Sequence, residues 1–312
     1  MLIVEPTPYS GEVSAILSER ANVTMGHYER EELLQVIGNF DAVFVRLGQM
    51  FDVEMIARAS SLRVIATPTT GLNHIDIVAA KAANLDVLCL RGEAELLENL
   101  SATAELTWGL LLSVVRRITQ ASLHTQSGGW DRNRFWSTEL YGKTLGIIGL
   151  GRLGRKVANY GIAFGMNVIA FDVKANGTSG LPITLVDKET LLESADVVSI
   201  HASFNQGDLP VLNEQNIQGL KPSCILINTA RGELVDEPAL IRAIKSGRIA
   251  GAGLDVICNE PNINKELATL QSDYNLVVTP HIGGATIESI RKTELFMAHK
   301  LRDYLDKARN GK

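Results

Sequence analysis

Cysteine is scarce in this sequence. Only three cysteines occur among 312 residues, Cys89, Cys224 and Cys258, each in or beside an apolar run. An odd number of widely spaced cysteines is not the pattern of a disulfide framework, and no Cys-x-x-Cys pair or Cys/His cluster indicates a metal site. We therefore expect three small buried thiols and no metal.

Long apolar runs are also missing. No stretch approaches the roughly 20 apolar residues that a membrane-spanning helix needs, and the start, MLIVEPTPYS, lacks the basic-then-apolar layout of a signal peptide. Nor are basic residues in excess, since 30 Lys and Arg against 35 Asp and Glu give a net charge of -5. We expect a cytoplasmic protein with no membrane or nucleic-acid partner. Local positive groups can still bind a small anion.

Short apolar runs separated by helical segments are what the sequence has in quantity. Because several of these runs are rich in Val and Ile and apolar throughout, they fit parallel strands that are covered on both faces. The pattern predicts an α/β fold with two doubly wound parallel sheets. The ten expected strands are Leu2–Val4, Ala42–Arg46, Val64–Ala66, Val87–Leu90, Thr144–Gly149, Val168–Phe171, Val197–Ile200, Ile225–Asn228, Gly253–Val256 and Leu276–Thr279.

A long helix is expected where the first sheet gives way to the second. Ser101 is a plausible N-cap for it, and the helix would run through WGLLLSVVRRI to Ile118. The second sheet would end near His281. The tail, from about Ser289 to Lys312, has the pattern of one more helix.

A glycine-rich stretch follows the first strand of the second sheet. It contains Gly149-x-Gly151-x-x-Gly154, and the next strand ends at Asp172. Gly149 permits a tight turn, Gly151 lets a pyrophosphate approach the backbone, and Gly154 lets the helix pack closely on the strand. Asp172 would accept hydrogen bonds from a ribose and repel a 2′-phosphate, which favours NAD over NADP. Taken alone, the stretch also allows another nucleotide, such as an S-adenosyl compound.

Three later segments each place charged residues just after an apolar strand. Arg231 lies in NTARGEL, Asp255 and Glu260 lie in LDVICNEP, and His281 lies in VVTPHIGG. Open α/β sheets bind ligands beyond the carboxyl ends of their strands, so we expect these residues in one crevice. Each alone has an ordinary structural explanation, such as a surface ion pair or a solvated turn. Together they favour a site.

These segments resemble the signatures of the D-isomer-specific 2-hydroxyacid dehydrogenases. NTARG, LDVICNEP and TPHIGGAT stand in the family's chain order, and SATAELTWGLLLS, ELYGKTLGIIGLGRLG and TTGLNHID also match, from about residue 42 to the end. The resemblance implies an NAD-binding Rossmann domain at 99–285. It also implies a discontinuous, flavodoxin-like substrate domain at 1–98 plus 286–312. A homodimer through the NAD-binding domain is implied as well, with the helix Ser101–Ile118 at its interface.

The resemblance also implies a reaction, in which a hydride passes between NAD and the C2 atom of a small D-2-hydroxy acid or 2-oxo acid. His281 would be the general acid and base. Glu260 would hydrogen-bond the other ring nitrogen, as the acid of a catalytic triad does. Arg231 would bind the substrate carboxylate and polarise the carbonyl.

Further contacts are implied for both ligands. Asp255 would orient the nicotinamide carboxamide, and Gly71 and Leu72 would offer backbone N–H groups to the carboxylate. The implied cofactor residues are Gly149, Gly151, Arg152, Leu153, Gly154, Asp172, His201, Thr229, Ala230, Asp255, His281 and Gly283. The implied substrate residues are Arg46, Thr70, Gly71, Leu72, Arg231 and His281, and Arg46 is the candidate for the distal part of the substrate.

Three alternatives stay open at this point. A formate dehydrogenase uses a related scaffold but pairs its histidine with Gln, so Glu260 disfavours it. An NADH-sensing, corepressor-like binding protein would share the fold without turnover. A dehydrogenase of phosphorylated hydroxy acids such as 3-phosphoglycerate would share the catalytic residues.

The crossing Arg91–Leu100 is longer than usual in the family, and we expect it to reshape the substrate pocket.

Overall fold

The computed structural model describes residues 1–174, 177–178, 180–205 and 207–310, and its strands are all short and parallel. The strands are β1 (Leu2–Val4), β2 (Thr24–Gly26), β3 (Ala42–Phe44), β4 (Val64–Ala66), β5 (Asp86–Leu88), β6 (Thr144–Ile148), β7 (Asn167–Phe171), β8 (Ile183–Leu185), β9 (Val197–Ile200), β10 (Ile225–Asn228), β11 (Gly251–Leu254) and β12 (Leu276–Val278).

Helices connect nearly all successive strands, as parallel pairing requires. They are α1 (Ser10–Ser18), α2 (Arg30–Val36), α3 (Val53–Arg58), α4 (Ile77–Ala82), α5 (Ala94–Glu98), α6 (Ala102–Arg116), α7 (Ile118–Gln126), α8 (Arg152–Ala163), α9 (Lys188–Ser194), α10 (Glu214–Gly219), α11 (Glu237–Lys245), α12 (Lys265–Asp273) and α13 (Ile287–Asn310). Short 3₁₀ turns occupy Ile37–Asn39, Arg132–Phe135 and Gly232–Leu234.

The chain divides into two compact units, and unit 1 comprises residues 1–100 and 286–312. Its sheet has the order β2-β1-β3-β4-β5, which is the flavodoxin-like arrangement expected from the sequence. Alternate side chains of each strand enter opposite cores. Ile3 and Phe44 pack in the core that also holds Met297 and Leu301 of α13.

Unit 2 comprises residues 101–285 and is a Rossmann domain. Its sheet has the order β12-β11-β10-β9-β6-β7-β8, so the strand order reverses between β6 and β9. One face is covered by α6 and α8 and the other by α9, α10 and α11. The predicted fold class, two doubly wound parallel sheets, is therefore confirmed. The reversal point is where such sheets bind their ligands.

Two strands were missed by the sequence prediction, and both lie at sheet edges. β2 has two exposed residues and begins with Thr24, while β8 has an exposed Thr184 and Leu185. Edge strands are covered on fewer sides, so their sequences lack a continuous apolar run. β11 also begins two residues earlier than predicted, at Gly251, because its pairing with β10 rather than its own hydrophobicity sets its start.

The helix predicted at Ser101 begins there but ends differently. Ser101 precedes α6, yet its hydroxyl makes no capping bond and instead lies 3.4 Å from Lys156 Nζ. The helix stops at Arg116 because Arg117 adopts a left-handed conformation with φ of 52°, and α7 starts afresh at Ile118. Trp108 packs inside unit 2 against Tyr160 and Phe164, so its burial needs no partner subunit.

The chain's last helix and the Arg91–Leu100 crossing both belong to unit 1. α13 packs along α1, and its Lys300 contacts the Cys89 carbonyl at 2.9 Å and Glu93 at 2.6 Å. The crossing folds into α5, whose Leu96 and Leu97 pack against the same core as α13. Gly311 and Lys312, the last two residues of the expected tail helix, lie outside the described residues.

No helix within the described residues is both long and apolar enough to cross a membrane. The three cysteines are free. Cys224 is buried as expected, but the expectation is wrong for Cys89 and Cys258, which are half-buried. Burial raises the pKa of the Cys224 thiol to about 12.

Candidate active site

The glycine-rich turn lies at the reversal point of the unit 2 sheet. Gly149 has a φ of +92°, and a Cβ there would lie 2.6 Å from the backbone nitrogen of Ala202. A Cβ on Gly154 would lie 2.1 Å from the Gly149 carbonyl oxygen, so α8 sits directly against the turn. In contrast, a Cβ on Gly151 would meet nothing within 4 Å. The helix N-terminus, where Arg152 and Leu153 begin α8, therefore faces open space that a pyrophosphate can enter.

Asp172 is fixed beside this turn, just beyond the end of β7. Its Oδ2 accepts a hydrogen bond from the Leu150 backbone at 2.7 Å, and its Oδ1 accepts one from Lys174 at 2.7 Å. The carboxylate is thus oriented by backbone groups on both sides. It fits the role of a ribose acceptor.

His201 follows β9 on the other side of the reversal point. Its backbone nitrogen donates to the Ile148 carbonyl at 2.7 Å, and its Nε2 lies 2.8 Å from Ser199 Oγ. Nδ1 is buried and has no hydrogen-bond partner among the described residues. Burial lowers the pKa of His201 to about 4, so the ring is neutral. A buried, unpaired ring nitrogen beside the glycine turn fits a polar contact with a bound dinucleotide.

The turn after β10 carries Thr229, Ala230 and Arg231. The buried side chain of Asn228 spans it, accepting from the Ala230 nitrogen at 3.0 Å and donating to the Arg231 carbonyl at 2.8 Å. Thr229 Oγ1 lies 2.7 Å from Thr107 Oγ1 of α6. Arg231 is half-buried, and its Nη1 donates to the Ala230 carbonyl at 2.5 Å.

His281 and Glu260 form a hydrogen-bonded pair. His281 Nδ1 lies 2.6 Å from Glu260 Oε2, and Glu260 Oε1 accepts from the Ile257 backbone at 3.1 Å. Burial by itself raises the pKa of Glu260. The hydrogen bond and charge of His281, the Ile257 N–H and the charge of Arg231 outweigh burial and lower that pKa below its ordinary value. Glu260 is therefore a carboxylate at neutral pH, placed to stabilise a protonated imidazole.

Asp255 holds the segment that carries His281. Its Oδ1 accepts from Thr279 Oγ1 at 2.6 Å and from Ile282 N at 2.8 Å, and its Oδ2 accepts from Gly283 N at 2.7 Å. His281 itself has a φ of +52° and donates its N–H to the Asp255 carbonyl at 2.9 Å. Burial raises the pKa of Asp255, although these hydrogen bonds oppose the shift. Both carboxylate oxygens are thus already occupied within the protein.

Several supporting residues were not identified from the sequence. Asn228 braces the Arg231 turn, Thr107 holds Thr229, and Thr103 donates to the Gly283 carbonyl at 3.1 Å. Asn228 is the polar end of the otherwise apolar strand ILIN, and this pattern could have identified it as a site residue. The two threonines stand among apolar residues of α6, and no local pattern marks them.

Four predicted substrate residues lie in unit 1: Arg46, Thr70, Gly71 and Leu72. The three predicted catalytic residues, Arg231, Glu260 and His281, and all predicted cofactor residues lie in unit 2. The four residues in unit 1 follow β3 and β4 at the carboxyl edge of the unit 1 sheet, meaning the edge where its strands end. Thr69 Oγ1 donates to the Gly71 carbonyl at 2.7 Å, which shapes the turn. The backbone N–H groups of Gly71 and Leu72 make no hydrogen bond within the described residues, so they can serve an anion.

No group of three or more His, Cys, Asp or Glu side chains that could hold a metal ion occurs among the residues that the structure describes. The open cradle at Gly151, the fixed carboxylate of Asp172 and the unpaired Nδ1 of His201 fit a dinucleotide instead. A dinucleotide cradle and an acid–base pair carried by one Rossmann unit are features of a nicotinamide-dependent oxidoreductase.

Comparison with known proteins identifies the family. The family model for the NAD-binding domain of D-isomer-specific 2-hydroxyacid dehydrogenases matches residues 108–283. The chain is 35% identical over 296 residues to a hydroxypyruvate reductase of Thermotoga maritima, a match that covers 94% of this chain and 95% of that protein. The chain therefore belongs to the D-isomer-specific 2-hydroxyacid dehydrogenase family and is an NAD-dependent dehydrogenase.

Two further comparisons bear on substrate and fold. A D-3-phosphoglycerate dehydrogenase of Methanocaldococcus jannaschii is 34% identical over 307 residues, which cover 97% of this chain but 57% of that protein. A glyoxylate reductase structure from Paecilomyes thermophila superposes with a TM-score of 0.84 at 28% identity, covering 98% of this chain and 95% of that one. The fold is thus shared across relatives named for different substrates.

Proposed function

We propose that this protein reduces a short 2-oxo acid to the D-2-hydroxy acid, with His281 as general acid. The observation that carries the proposal is the 2.6 Å hydrogen bond between His281 Nδ1 and a Glu260 carboxylate that stays ionised. When bound, NADH supplies the hydride that goes to C2. The oxo acid, NADH and one proton become the hydroxy acid and NAD⁺.

The proton comes from His281. Because Glu260 holds Nδ1, Nε2 is the nitrogen that donates to the substrate carbonyl oxygen as the hydride arrives. In the reverse direction, Nε2 takes the hydroxyl proton, and Glu260 stabilises the imidazolium that results. Asp255, through its bonds to Ile282 and Gly283, keeps the His281 ring in place.

The substrate carboxylate is assigned to Arg231. Its guanidinium offers a rigid pair of donors, which suits a carboxylate and also polarises the adjacent carbonyl. We further propose that the unpaired N–H groups of Gly71 and Leu72, together with Thr70, bind substrate at the carboxyl edge of the unit 1 sheet. The names of the relatives, hydroxypyruvate reductase and glyoxylate reductase, support a substrate of two or three carbons.

The first experiment follows NADH consumption with glyoxylate, pyruvate, hydroxypyruvate, longer 2-oxo acids and 3-phosphohydroxypyruvate. We expect turnover of at least one acid, and loss of turnover by about 100-fold or more in His281→Ala, since general acid catalysis contributes that much. His299→Ala, a change at an exposed histidine on α13, is the matched control. Tight NADH binding without turnover of any acid would reject the proposal in favour of an NADH-sensing protein.

We also propose a homodimer formed through unit 2, and a cytoplasmic location. Burial of Trp108 inside the unit removes it from the interface, but α7 and the segment after it expose large apolar side chains, among them Leu123 at 55% and Trp136 at 80%. Apolar surface of this kind marks interaction sites. Three free thiols are consistent with a reducing compartment.

A further inference from the structure

A buried carboxylate on α13 is not used by the proposed chemistry. Glu294 is 2% exposed, and its Oε2 accepts a hydrogen bond from Thr7 Oγ1 at 2.7 Å. Its Oε1 is buried with no hydrogen-bond partner among the described residues, and Arg46 Nε lies 3.6 Å away. Burial raises the pKa of Glu294, against the opposing effects of Thr7 and Arg46. Such an incompletely paired buried acid is costly and calls for a function.

Arg46 is held at the carboxyl edge of the unit 1 sheet, directly after β3. Its backbone nitrogen donates to Glu5 Oε2 at 2.9 Å, and the Gly48 nitrogen donates to Glu5 Oε1 at 2.6 Å. The Arg46 side chain is 33% exposed, and its Nε lies 3.6 Å from Glu294 Oε1, beyond hydrogen-bond distance. The backbone is thus fixed and the guanidinium lies beside a buried carboxylate, while part of the side chain stays accessible where open α/β sheets bind ligands.

We propose that Glu294 is a positioning residue that orients Arg46 as a contact for the end of the substrate that carries a hydroxyl or a phosphate, and that this pair favours the hydroxyl. The inference rests on the proposed function. A guanidinium held by a buried carboxylate still donates hydrogen bonds to a neutral hydroxyl. Its charge, however, is largely offset by Glu294, so a doubly charged phosphate gains little from Arg46 and is repelled by the carboxylate.

The test compares kcat/KM for hydroxypyruvate, 3-phosphohydroxypyruvate and glyoxylate, which lacks the distal carbon. We expect the wild-type protein to prefer hydroxypyruvate over its phosphorylated form. Glu294→Gln removes the charge, and we expect it to raise the ratio of kcat/KM for the phosphorylated acid to that for glyoxylate by about tenfold. Glu294→Asp keeps the charge on a shorter side chain, so it should raise KM for hydroxypyruvate without improving the phosphorylated substrate.

Glu288→Gln, the same change at an exposed position of α13, is the matched control and should leave all ratios unchanged. A purely structural role for Glu294 predicts equal losses on all three substrates together with a lower Tm, and that result would overturn the inference. A wild-type preference for the phosphorylated acid would overturn it whether or not the variants fold. Absence of turnover on every substrate would instead reject the proposed function itself.

Discussion

At the scale of single residues, the bond between His281 and Glu260 determines how the protein handles a proton. Glu260→Gln keeps the size of the side chain but removes the charge that stabilises the imidazolium. We expect kcat for reduction to fall about 10- to 100-fold. Steady-state rates of the variant and the wild-type protein with the same 2-oxo acid test this, and an unchanged kcat would contradict the assigned role.

Asp255 gives a second prediction at this scale, with a defined pH dependence. Asp255→Asn replaces an acceptor of three hydrogen bonds with an amide, which leaves a buried N–H unpaired and costs about 1–3 kcal/mol of unfolding free energy at neutral pH. Burial raises the folded-state pKa of Asp255 above its ordinary value of 3.8. The folded protein therefore holds this proton more tightly than the unfolded chain, so the titration adds stability as the pH falls through the folded pKa.

The Asn variant lacks this titration. The advantage of the wild-type protein over Asp255→Asn should thus grow between pH 7 and pH 4, as measured by urea unfolding. Asp208→Asn, a change at an exposed residue, is a suitable control for general charge effects. An advantage that shrinks toward pH 4 would show that Asp255 is stabilised as the ionised form.

The sequence could predict which residues stand at strand ends but not how they are braced. Arg231 and His281 follow apolar strands, and parallel strands end at one edge, so their proximity to the cofactor loop was expected. The bonds from Asp255 to Thr279 and Gly283, and from Thr107 to Thr229, join distant parts of the chain. Such pairings depend on backbone positions that no local pattern encodes. The proximity of Glu294 to Arg46 likewise joins distant parts of the chain and has no local pattern.

At the scale of elements, two glycines at the start of α8 have different roles: Gly154 allows the helix to pack on the turn after β6, and Gly151 leaves space for the cofactor. Gly154→Ala would place a methyl group 2.1 Å from the Gly149 carbonyl oxygen, so we expect a loss of about 1–3 kcal/mol in stability together with weaker NADH binding. Gly151→Ala meets no protein atom within 4 Å. It should leave Tm unchanged yet weaken NADH binding, as measured by calorimetry. Equal Tm losses in both variants would contradict this division.

Strand bounds were predicted best for strands that are covered on both faces. β9 and β10 were predicted at their observed bounds because every residue of each is buried and each begins with large apolar residues. β11 is equally buried, but it begins with Gly251 and Ala252, so its start was predicted two residues late. β2 and β8 escaped prediction because exposed edge positions accept polar residues. The end of α6 was missed because Arg117, rather than a glycine, takes the left-handed conformation.

At the scale of the whole molecule, the proposed homodimer predicts how the protein responds to charges on one exposed surface. If unit 2 forms the dimer through its exposed apolar side chains, charges placed there should break it. We expect sedimentation to give twice the chain mass for the wild-type protein, and the double change Ile118→Asp and Leu123→Asp to give a monomer. Burying two unpaired charges weakens an interface by several kcal/mol, equivalent to at least about 100-fold in Kd. Val78→Asp, at an exposed apolar residue of α4, should stay dimeric. A wild-type monomer would refute the proposed homodimer, while a doubly charged variant that stays dimeric would place the interface on another surface.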